Sequence, residues 1–185
     1  MSTTLRPMSS THAGRIVIAR PDYSDIHFDM TVTMLLEHNE QGAFGLILNR
    51  PSNVTVAETL AGWEDSVNQP QNLFAGGPVS PESIVALGRG SVPGELAHGM
   101  HSVDLDSQPT LATSSVDEVR IFAGYAGWAP GQLEGEIGSG GWWIVDGTAD
   151  DVFFPEPKKL WAAILRRQRD EMAWYAHYPA DTSVN

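Results

Sequence analysis

Three stretches of the chain carry side chains whose types could do chemistry. Glu37-His38-Asn39 sets a carboxylate beside an imidazole, the pairing that general acid-base catalysis uses. Neighbours on a strand point to opposite faces, however, so the triplet also reads as the hydrogen-bonded end of a hairpin. His98-x-x-His101-x-x-Asp104 offers metal-ligand types at i, i+3 spacing. Pro93, Gly94 and Gly99 oppose the regular helix that would bring the three together, so no metal site is expected.

The third stretch, FAGYAGWAPGQLEGEIGSGGWW at 122–143, holds seven glycines and three tryptophans. Glycine at this density implies positive φ or close backbone approach, with tryptophan filling the space. Pro130 suits the first turn of a helix, and Gln132, Glu134 and Glu136 place polar or negative groups near its positive end. Trp128, Gln132 and Glu134 can therefore form a binding surface, or the stretch can serve packing alone. Gly76-Gly77-Pro78 offers backbone N–H donors to a ligand, or simply a tight turn. There is no G-x-S-x-G elbow, P-loop or dinucleotide fingerprint, so no cofactor is expected. The absence of cysteine removes thiolate catalysis, disulfides and cysteine metal sites together.

The elements that must position these residues are short. RIVIA (15–19) reads as a buried strand. TVTMLLEH (31–38) and AFGLILNR (43–50) flank a polar turn ending in Gly42, the pattern of an antiparallel hairpin that Pro51 stops. Thr55 with Glu58 forms a capping box for a helix in VAETLAGW. NLFAG (72–76) reads as a strand with ESIVALG (82–88) as its neighbour. Residues 89–117 read as loops with two short strands. VRIFAGYAGW begins as a strand, PGQLEGEIGSG as a helix, and GWWIVDG returns as a strand. In KKLWAAILRRQR (158–169), Leu160, Trp161, Ile164 and Leu165 share one helical face opposite Lys159, Arg166 and Arg169. Hairpins mixed with short helices, without βαβ alternation, define an α+β class.

At 185 residues the chain suits one domain. We divide it into a flexible tail at 1–13, a domain at 14–170 and a C-terminal tail at 171–185. No apolar run reaches the length of a membrane span and the N-terminus has no apolar signal core, so the cytoplasm is the expected compartment. Eleven Lys and Arg face 23 Asp and Glu, a net charge of -12 that argues against a general nucleic-acid surface. Five of those eleven cations lie in 158–169.

EHNEQGAFGLILNRP, FAGGPV, FAGYAGWAPGQLEGEI and the PEPKKLWAAIL helix, in this order over roughly 15–167, resemble the AlgH/YqgE family of small bacterial proteins. The resemblance implies a mostly antiparallel bifurcated sheet curled into a pseudo-barrel with a few short helices. It implies, through the family's label, a role in transcriptional regulation, and no particular enzymatic activity. The chain departs from the family at Ser139-Gly140-Gly141, around Thr113 to Asp117, and in its final residues.

Three functional classes follow. The first is a non-catalytic regulatory or protein- or ligand-binding module, monomeric, with Glu37, His38, Asn39, Gly76, Gly77, Trp128, Gln132 and Glu134 as its binding surface. Its partner would be an unidentified protein or small molecule, not a nucleic acid or a membrane. The second is a hydrolase using Glu37, His38 and Glu134. The third is a direct DNA-binding regulator acting through the basic 158–169 helix.

Overall fold

The hairpin that carries Glu37-His38-Asn39 forms as expected. The computed structural model, which describes residues 12–21, 27–90 and 96–177, begins with β1 (Arg15–Ala19), β2 (Val32–Asn39), β3 (Gly42–Ile47) and β4 (Pro51–Thr55). β2 and β3 pair antiparallel from Thr33↔Ile47 to Asn39↔Gly42, with a register shift between Leu35 and Glu37. Gly42 has φ 123°, and a Cβ there would stand 2.1 Å from the Trp128 carbonyl oxygen. The turn is thus closed by a residue that only glycine can supply. Pro51 opens β4 rather than merely ending the hairpin, and lacking an N–H it fits the start of an edge strand.

Thr55 and Glu58 form the capping box of helix α1 (Val56–Thr59). β5 (Asn72–Ala75), β6 (Val79–Gly90) and β7 (Met100–Ser102) follow, then α2 (Pro109–Ala112), β8 (Val116–Trp128), α3 (Gln132–Gly138) and β9 (Trp142–Asp146). The chain continues through α4 (Ala149–Val152), α5 (Leu160–Arg166) and α6 (Met172–Tyr175).

β8 is the strand on which the sheet divides. One branch runs β9-β1-β2-β3-β8 and the other β4-β5-β8-β6-β7, with β5–β8 the parallel pairing in an otherwise antiparallel sheet. The branching has a local cause. Ile121 faces one outer cluster while Phe122 faces the central core, yet further along it is Tyr125 that packs on the core and Ala126 and Trp128 that point outward. The alternation has slipped by one at Gly124, whose φ is 68°. One left-handed residue inserts an odd step, turns the later half of β8 over, and hands it from one branch to the other.

The expectation that NLFAG and ESIVALG are neighbours is corrected: β5 pairs with β4 and β8, and β6 with β7 and β8. Gly76-Gly77 does not turn a hairpin but carries the chain over β8. A Cβ on Gly76 would stand 2.3 Å from the Gly124 carbonyl oxygen, and one on Gly77 2.1 Å from the Tyr125 carbonyl carbon. This backbone-on-backbone crossing has no room for a side chain, the close approach that the glycines of 122–143 imply, although nothing within either strand says which segment crosses.

Both branches curl around a central core without closing. That core joins Ile16, Met34 and Leu46 of one branch to Phe74, Leu87 and Phe122 of the other. Leu160, Trp161, Ile164 and Leu165 of α5 cover it, the face assigned from the helical period. α3 seals the outer face of the first branch through Leu133, and Val56 and Trp63 seal that of the second. The segment after 170, assigned to a tail, carries α6; Ala176 is buried and Tyr175 packs on Trp143. No helix among the described residues is long and apolar enough to cross a membrane.

Candidate functional site

On β2 the alternation separates the expected acid-base pair: Glu37 is exposed while His38 is buried. The carboxylate that reaches His38 is Glu134, 96 residues later, with Nε2 to Oε1 at 2.7 Å. His38 Nδ1 accepts the backbone N–H of His12 at 3.0 Å. A ring nitrogen that accepts carries no proton, so the neutral imidazole keeps its hydrogen on Nε2 and donates it to Glu134. The His12 ring stacks on that of His38, centroids 5.2 Å apart and planes within 5° of parallel.

Glu134 stands in the first turn of α3, half exposed, whereas the His38 side chain is 5% exposed. The hydrogen bond to its own backbone amide, followed by the His38 contact, holds the Glu134 carboxyl below its ordinary range against the opposing effect of partial burial. The His12 imidazole is likewise held below its ordinary value, by burial first and then by nearby His38 and Arg15, with Glu134 opposing.

The glycine- and tryptophan-rich stretch resolves around Glu136. Its Oε2 accepts the indole N–H of both Trp128, at 2.9 Å, and Trp142, at 2.7 Å, and its Oε1 accepts from Gln132 at 2.8 Å. Gln132 in turn accepts the backbone N–H of Ala129 at 3.0 Å. Phe28 packs against both indoles, which meet edge to face. One carboxylate thus anchors α3 on a floor of aromatic rings and fixes the approach of Glu134 to His38. Gly131, at φ 76°, turns the chain into this helix.

Ala43 faces His38 across the hairpin and Trp128 across the next pairing. Next to them Glu37, Asn39, Gln41, Gly42, Ala43, Phe44 and Trp128 line a recess of about 150 Å³. The structure therefore brings together Glu37, His38, Asn39, Trp128, Gln132 and Glu134. Gly77 instead lines a separate recess with His27, Arg50 and Pro78, and Gly76 is engaged in the crossing, donating to Ala123 and accepting from Ile47. Sequence reasoning missed His12 and the clamping role of Glu136. The two tryptophans six and eight residues from Glu136 were visible, but nothing in their spacing says that one carboxylate serves both.

The other candidate residues are engaged locally. His98 Nε2 contacts the Gly14 carbonyl at 2.6 Å and His101 Nε2 the Gly90 carbonyl at 2.8 Å. Asp104 accepts from the Asp106 backbone and the Ser107 hydroxyl. No group of three potential ligands stands ready for a metal among the described residues. In the basic segment, Arg167 forms a two-pronged pair with buried Asp151 at 2.7 and 2.8 Å, and Lys159 pairs with Glu156.

An α+β single domain whose sheet branches on one long strand, carrying a buried histidine tied to the first turn of a short helix, defines the structural class. The AlgH-like family model matches residues 16–173, and the chain belongs to that family. A UPF0301 protein of Streptomyces avermitilis is 44% identical over 188 residues, covering 95% of this chain and 96% of the relative. One from Thermobifida fusca is 38% identical over 190 residues, covering 93% and 94%. Among solved structures, a Corynebacterium diphtheriae protein matches with TM-score 0.83 at 31% identity, covering 90% of this chain and 92% of that one. The AlgH protein from Pseudomonas aeruginosa matches with TM-score 0.72 at 27% identity, covering 96% and 99%. These likenesses bear out the resemblance to the AlgH/YqgE family and its branched fold.

Proposed function

We propose that this chain is a non-catalytic regulatory binding module, acting as a cytoplasmic monomer, that docks a partner protein on the hairpin end beside α3. One observation carries the reading: both ring nitrogens of His38 are already spent, Nδ1 on the His12 backbone and Nε2 on Glu134. A general base needs a free lone pair facing the substrate, and a general acid a proton not committed to a carboxylate. His38 has neither, and Glu37 points away from it. The arrangement instead fixes the hairpin to α3 and makes a stiff rim.

The recess on that rim holds about 150 Å³, below the roughly 300 Å³ at which small-molecule sites begin. It suits one inserted side chain of a protein partner. Its rim carries Glu37 and no cation, which favours a partner with a basic or amide-bearing contact.

A photo-crosslinking residue at Gln41 tests this in bacterial cytosol, with the same residue at exposed Leu111 as control. The expected result is a discrete adduct formed from position 41 alone and lost with Glu37→Arg. Equal labelling from both positions sinks the docking surface. Ester or amide hydrolysis by the purified chain, abolished by both Glu134→Gln and His38→Asn, would establish the hydrolase instead.

A further inference from the structure

We propose that a groove between β4, the start of β5 and the turn before α5 binds a small organic anion. Its carboxylate or phosphate head would lie against Lys158 and Lys159, and its apolar body against Pro51, Pro70 and Pro157. This site is separate from the hairpin end and stands whether or not that surface docks a protein.

The groove encloses about 460 Å³, within the roughly 300–1,000 Å³ of small-molecule sites. Its polar side chains are Ser52, Asn53, Asn72, Glu156, Lys158 and Lys159. Among the described residues, the side-chain amides of Asn53 and Asn72 and the ammonium of Lys158 have no hydrogen-bond or ion-pair partner. Lys159 is held by Glu156, the one carboxylate lining the groove.

The walls are clasped from behind by a third cation. Arg120 is 2% exposed and donates to the carbonyls of Val152 at 2.6 Å, Gln69 at 3.0 Å and Phe154 at 3.3 Å. Gln69 precedes Pro70 and Phe154 lies two residues before Glu156, so one guanidinium spans the two sides of the groove. Among the described residues no carboxylate contacts it. Burial lowers its pKa to about 10, which leaves it charged at neutral pH.

A chain of net charge -12 thus places two lysines against one carboxylate along a concave site, with the Arg120 guanidinium buried behind its wall. A cationic ligand is opposed there, and a neutral one leaves Lys158 unmatched. An oxyanion accepts from the ammonium groups and the asparagine amides together. The groove of about 550 Å³ beside Leu60, by contrast, carries Asp104 and Asp106 with no cation.

The test is an amide-resolved NMR titration of the full chain with adenosine 5′-monophosphate, benzoate and uncharged adenosine. Saturable shifts are expected at Ser52, Asn53, Asn72, Lys158 and Lys159 with at least one of the two anions and not with adenosine. A response to the nucleotide alone selects a phosphate head, and one to benzoate alone a carboxylate head. Lys158→Glu, at an exposed position, should weaken binding by about tenfold or more without moving Tm, while Arg166→Glu should leave it unchanged. The proposal is overturned if neither anion gives saturable shifts at these residues, if adenosine binds as well as its phosphate, or if Lys158→Glu leaves the affinity intact.

Discussion

Two bonds occupy the ring of His38, and the two residues that make them, His12 and Glu134, both have lowered pKa values. His12 has a folded-state pKa below its ordinary value, so the unfolded chain binds the proton more readily. Its contribution to stability is therefore full above about pH 6.5 and declines as pH falls through that value toward the folded pKa. Glu134, also depressed, contributes above about pH 4.5 and loses that contribution as pH falls further. Both signs agree: acid loosens the contact between the chain entry, the hairpin and α3. Tm measured from pH 8 down to about pH 3 should fall in two steps, the lower one beginning near pH 4.5, and His12→Ala should remove the upper one. An unaltered upper step in that variant would assign it to another histidine. Of these residues, the sequence marked His38 and Glu134 as members of one site but named Glu37 as a possible partner. Alternation along β2 argued against that pairing from the start. His12 was illegible, because its role depends on where the chain enters the fold and not on any local pattern.

Elements were legible in proportion to how local their causes are. The β2–β3 hairpin follows from two apolar runs around Gly42, the α1 start from Thr55 and Glu58, and the buried face of α5 from its helical period. The branching of β8 was not, since it needs the side-chain order reversed at one glycine and a second chain segment crossing there. This contrast makes opposite predictions for one substitution at two glycines. At Gly124 a Cβ would meet the Gly77 carbonyl oxygen at 2.6 Å on a backbone already at φ 68°. Gly124→Ala should cost about 2–4 kcal/mol, combining left-handed strain with a backbone clash. Gly135 lies inside α3 with nothing within 4 Å of an added Cβ. Gly135→Ala should stabilise by about 0.5–1 kcal/mol through helix propensity. Urea unfolding of the two variants measures both, and a Gly124→Ala chain as stable as wild type would show that the parity change does not hold the branch together.

At the scale of the whole molecule, charge is the property with the widest reach, and it bears on the regulatory label through DNA. Nucleic-acid affinity comes mainly from cations that neutralise phosphates, and each contact adds about 0.9 to the salt slope on duplex DNA. The 158–169 segment was the one region where the sequence allowed such a surface. The structure engages two of its five cations internally: Arg167 against buried Asp151, which also caps α4 through Thr148, and Lys159 against Glu156. Lys158, Arg166 and Arg169 are left outward, while the chain as a whole carries a net charge of -12. Three contacts with a slope of roughly 3 supply little affinity near physiological salt, and the surrounding acids oppose the approach of a duplex. Fluorescence anisotropy with labelled duplexes near 150 mM salt should therefore show no sequence-dependent binding, whatever the sequence. The informative variants are Arg166→Glu and Arg169→Glu, because Arg167→Glu would strand Asp151 and unfold the α4–α5 corner for reasons unrelated to DNA. Submicromolar binding that prefers one duplex, weakens steeply with salt and disappears in the Arg166→Glu, Arg169→Glu double variant would make the helix a DNA contact after all and overturn the charge argument.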